Sequence, residues 1–124
     1  MTLSYAATPL PGQTLRRRPW LDIDVVDCSE RRVVLHCGID LSLGPEVEIT
    51  FDTIFLVSFL MSWKMNTSRP ILEILSGDAA FEVNTQYQVE QGYYLLAFTP
   101  DVPEDVGRFI IAAHGISWRW VKIE

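Results

Sequence analysis

Residues 46–63, EVEITFDTIFLVSFLMSW, constrain the fold more than any other part of the chain. Their odd positions are Val47, Ile49, Phe51, Phe55, Val57, Phe59, Met61 and Trp63, interrupted only by Thr53. Their even positions begin Glu46, Glu48, Thr50 and Asp52, then turn to Ile54, Leu56 and Leu60 with Ser58 and Ser62. A repeat of two puts successive side chains on opposite faces and predicts a strand. The run is well beyond the usual strand length of about 3–10 residues. The change of pattern at Asp52 and Thr53 therefore predicts a bend, bulge or break. On this pattern residues 46–52 form an exposed acidic strand and residues 54–61 a core strand.

The neighbouring segments read the same way. Residues 20–27 put Leu21, Ile23 and Val25 on one side, with Asp22, Asp24 and Asp27 beside them, and residues 33–37 return after a polar turn. Together they predict a hairpin centred near residues 29–31, which sets Cys28 opposite about Val33. Residues 38–45 read as a connection, 64–69 as a polar loop, and 71–75 as a short strand opened by Pro70. Residues 81–89 alternate cleanly, with Phe81, Val83, Thr85, Tyr87 and Val89 against Glu82, Asn84, Gln86 and Gln88. Helical spacing from Phe81 falls on Asn84 and Gln88, so a strand is expected there. Gly92 supplies a turn residue with positive φ, and residues 93–99 return. Residues 100–107 form an acidic turn with room for a single helical turn. Residues 108–114 are apolar on both faces, which predicts a central strand. Gly115 marks a bulge or bend before residues 116–123.

Short strands punctuated by turns predict an all-β, single-domain β-sandwich or partly open barrel of about eight or nine mostly antiparallel strands. The domain spans residues 20–124, behind an irregular, proline-rich N-terminal arm over residues 1–19. The alternative is an α+β fold with one short helix over residues 79–91 or 100–107.

Ten basic and sixteen acidic residues leave a net charge of −6, and three of the basic residues are Arg16, Arg17 and Arg18. Such a balance disfavours nonspecific binding to nucleic acid or anionic lipid. The arrays Arg16-Arg17-Arg18-Pro19-Trp20 and Trp118-Arg119-Trp120 interleave charges with rings that could stack bases; against the acidic balance, no nucleic-acid partner is expected. The apolar stretch 54–61 is far shorter than the ~20 residues of a membrane helix, and the N-terminus lacks a basic start followed by an apolar segment. A soluble, cytoplasmic protein with no membrane partner is expected. Cys28 and Cys37 fit no CxxC or Cys/His spacing, which points to free thiols in a reducing compartment.

The sequence holds no GxSxG, SxxK, GxGxxG or phosphate-binding loop. His36 and His114 sit among apolar residues without HxxxH or HxE neighbours. No catalytic residue, cofactor or metal ligand is assigned. The expected function is that of a non-enzymatic protein-binding domain, as an immunity or inhibitor-type protein or an assembly or adaptor subunit. Its surface would comprise Glu46, Glu48, Asp52, Asp101, Glu104 and Asp105 and would face a basic protein. An uncovered strand edge would add a homodimer. The alternative is a small β-barrel or sandwich enzyme using His36 or His114 with Asp22 or Asp24, or a ligand-binding barrel lined by Tyr87, Tyr94, Phe98 and Trp118.

Overall fold

In a computed structural model, residues 20–38, 40–66, 72–101 and 107–121 are described. The arm over residues 1–19 lies outside them. Seven strands follow in chain order: β1 (Trp20–Cys28), β2 (Arg32–Gly38), β3 (Val47–Ser58), β4 (Ser62–Asn66), β5 (Glu73–Ile74), β6 (Tyr94–Phe98) and β7 (Phe109–Trp120). They form one antiparallel sheet in the order β4-β1-β2-β3-β7-β6-β5. The sheet curls into a half-barrel, in agreement with the all-β, partly open barrel expected from the sequence. No helix among the described residues is long and apolar enough to cross a membrane.

The first hairpin forms as its pattern predicts. Cys28 lies opposite Val33, and the Ser29 hydroxyl accepts from the Arg31 and Arg32 N–H groups at 3.2 and 3.3 Å, closing the turn. A shift of register between Val25 and Asp27 turns Val26 outward, where half its surface is exposed. β4 covers part of the segment expected as a polar loop. Leu21 and Ile23 of β1 require apolar partners on the inner face, and Met65 and Trp63 stand opposite them.

The bend expected in residues 46–63 is present at Thr53, whose φ of 53° is left-handed. Backbone N–H groups of Thr53 and Ile54 donate to the carbonyls of Arg31 and Glu30, both at 2.8 Å, so the β1–β2 turn holds the corner. β7 bends with it: Asp52 pairs with Gly115, and a Cβ at Gly115 would stand 3.6 Å from the Asp52 carboxylate. Phe51 and Ile54 both contribute to the inner core, as do Ala113 and Ile116, so each strand changes parity at the same level. A second register shift follows between Ile54 and Leu56. The division of roles is the reverse of the one expected. Val47, Ile49 and Phe51 are the core residues, whereas Phe55 is 37% and Val57 36% exposed. The reason is topological: pairing of β2 with β3 stops at Asp52, so among the described residues the distal half has a strand neighbour on one side only, β7.

Residues 81–89 are not a strand. The chain forms α1 (Gly77–Tyr87), capped at its C-terminus by left-handed Gln88, whose N–H donates to the Asn84 carbonyl at 2.7 Å. Asp78 in its first turn suits the positive end of the helix. The inward stripe consists of buried Val83 with half-buried Ala79 and Ala80, not Phe81, which is 70% exposed. Those small residues let α1 lie over Leu95, Ala97 and Ala112, which β6 and β7 turn away from the inner core. Packing on that apolar face overrides the period-two pattern of a short segment.

The main core lies inside the curl. Trp63 of β4 meets Phe98 of β6 at 5.5 Å and Phe109 of β7 at 5.0 Å, and Phe51 meets Phe98 at 6.2 Å, all edge-on. β4 lies far from β6 and β7 in sheet order, so only the curvature brings Trp63 to the rings of those strands. The Asp101 N–H donates to the Lys64 carbonyl at 2.7 Å and ties the segment after β6 to the far edge strand β4.

Candidate functional site

Two surfaces stand out, one polar and one apolar. On the outer face, a polar row crosses five strands in direct register: Ser62, Asp24, His36, Glu48 and Arg119. Each alternates with inward core residues, so the core pattern itself places them outside. The Ser62 hydroxyl donates to Asp24 Oδ1 at 2.7 Å. His36 Nε2 stands 3.0 Å from Glu48 Oε2, and Arg119 reaches both Glu48 oxygens, at 3.0 and 3.3 Å. The Arg119 hydrogen bond, then that of His36, holds the Glu48 carboxyl below its ordinary value. Glu48 is thus matched within the protein and is not a spare negative charge.

Beside this row lies an open depression of about 380 Å³, lined by Asp22, Asp24, Asp40, Leu41, Ser42, Ser62, Trp63 and Lys64. Asp22 Oδ1 is buried without a hydrogen bond, 3.9 Å from Lys64 Nζ. Asp40 accepts from the Ser42 hydroxyl at 2.6 Å and its N–H at 3.0 Å, and these bonds lower its pKa. No group of three His, Cys, Asp or Glu side chains among the described residues is arranged to hold a metal ion.

Of the six acidic residues expected at a binding surface, Glu46 immediately precedes β3, Glu48 lies on it and Asp52 lies at the corner. Asp101 is exposed beyond β6, and Glu104 and Asp105 are outside the described residues. Sequence spacing found the acidic face of β3 but missed Asp40, which a connection brings near Asp22 and Asp24.

Of the histidines, His36 has a carboxylate partner in Glu48, not in the expected Asp22 or Asp24, and it does not line the depression. His114 is exposed and stacks on Tyr93 at 4.2 Å, which in turn meets Phe55 at 5.3 Å. Among the described residues it has no hydrogen-bonded carboxylate. The four aromatic residues proposed to line a ligand pocket do not converge. Phe98 is buried in the inner core, with Tyr94 and Trp118 packed against that core, whereas Tyr87 lies on α1 across the sheet.

The apolar surface is the distal part of β3 and the turn after it. Phe55, Val57, Leu60 and Met61 are exposed, the last two by 51% and 62%. The Val25 N–H donates to the Met61 carbonyl at 2.8 Å, which brings the exposed Val26 alongside. Residues 53–63 carry no charge over eleven positions, the longest such run among the described residues. Comparison with protein-family models, curated proteins and solved structures finds no match.

Proposed function

We propose that the protein is a non-enzymatic protein-binding domain, acting as an assembly subunit through the distal half of β3. The exposed, uncharged segment at Phe55, Val57, Leu60 and Met61 carries this reading. Isolated exposed apolar residues need no explanation, but a contiguous group on one strand and its turn marks an interaction surface. An apolar surface suits an assembly contact better than inhibition by acidic mimicry. The internal pairing of Glu48 with Arg119 and His36 removes one charge from the acidic alternative.

A photo-crosslinking amino acid at Leu60, introduced in the native host, tests this function against the same group at Glu82 on α1. A discrete protein adduct at Leu60 and none at Glu82 is expected. Equal labelling, or none at either position, rejects the interface.

A further inference from the structure

We draw no further inference here: the strongest candidate, the open depression between β1, β4 and the 38–45 connection, is an acidic cluster of Asp22, Asp24 and Asp40 whose buried oxygen, Asp22 Oδ1, already faces Lys64 Nζ at 3.9 Å, so nothing among the described residues points to a ligand there.

Discussion

Cys37 faces the inner core of β2 with 1% of its surface exposed, whereas Cys28 is exposed at the end of β1. Burial first, and the nearby Asp24 charge second, push the Cys37 thiol up to about 12 from an ordinary 9.0. A native sample is expected to show one rapidly reacting thiol, Cys28, and a second only after unfolding, which a colorimetric thiol reagent reads directly. The same burial makes stability fall at high pH. Above an ordinary thiol's pKa the unfolded chain ionises while the folded chain does not, so stability declines from about pH 9 upward until the folded thiol also ionises. Glu48 acts at the acid end with the opposite sign. Its folded pKa lies below its unfolded value, so its contribution is present above the ordinary 4.5 and is lost as pH falls through the lower folded value. Glu48→Gln is expected to cost about 0.2–1 kcal/mol at neutral pH and to flatten this acid decline in urea-unfolding series. Phe51 sets a larger scale: it is fully buried against Phe98, and Phe51→Ala is expected to cost about 3–5 kcal/mol. Phe55→Ala should cost only about 1 kcal/mol, chiefly through its contact with Tyr93.

At the level of elements, the corner at Thr53 is a testable source of strain. A left-handed conformation costs an L-residue about 1–2 kcal/mol, while glycine loses about 0.5–1 kcal/mol of extra chain entropy. Thr53 is exposed, so its replacement removes little packing. Thr53→Gly is therefore expected to stabilise the protein by about 0.5–1 kcal/mol, seen as a higher urea midpoint at unchanged slope. The corner was legible in the sequence, because the apolar pattern changes from one face to two beside Asp52. The β1–β2 hairpin was legible too, down to Cys28 opposite Val33, because its alternation is flanked by a polar turn. What local pattern does not encode is which neighbour each strand receives. The distal β3 residues look like core in sequence, yet β2 ends its pairing at Asp52 and leaves them exposed. α1 was misread for the same reason. Its inward stripe begins at Ala79 and avoids Phe81, which is intelligible only once Leu95, Ala97 and Ala112 are seen to need covering. The polar row was partly legible: outward positions followed from alternation, but the juxtaposition of His36, Glu48 and Arg119 required strand order.

At the scale of the whole molecule, the curl divides protection unevenly. The inner face is filled by Phe51, Trp63, Phe98 and Phe109, and α1 covers the outer face of β6 and β7. The outer face of the other strands carries the polar row, which satisfies itself with hydrogen bonds. In the distal half of β3, Ile54 and Leu56 pack against the two cores, but Phe55 and Val57 stay exposed. That half is therefore the least protected stretch of strand among the described residues. Hydrogen exchange tests this most directly, by comparing the Phe55–Ser58 amides that do not bond to β7 with those of Ile49 and Phe51, which lie between β2 and β7. Faster exchange in the distal half is predicted. Equal protection in the two halves would contradict the account.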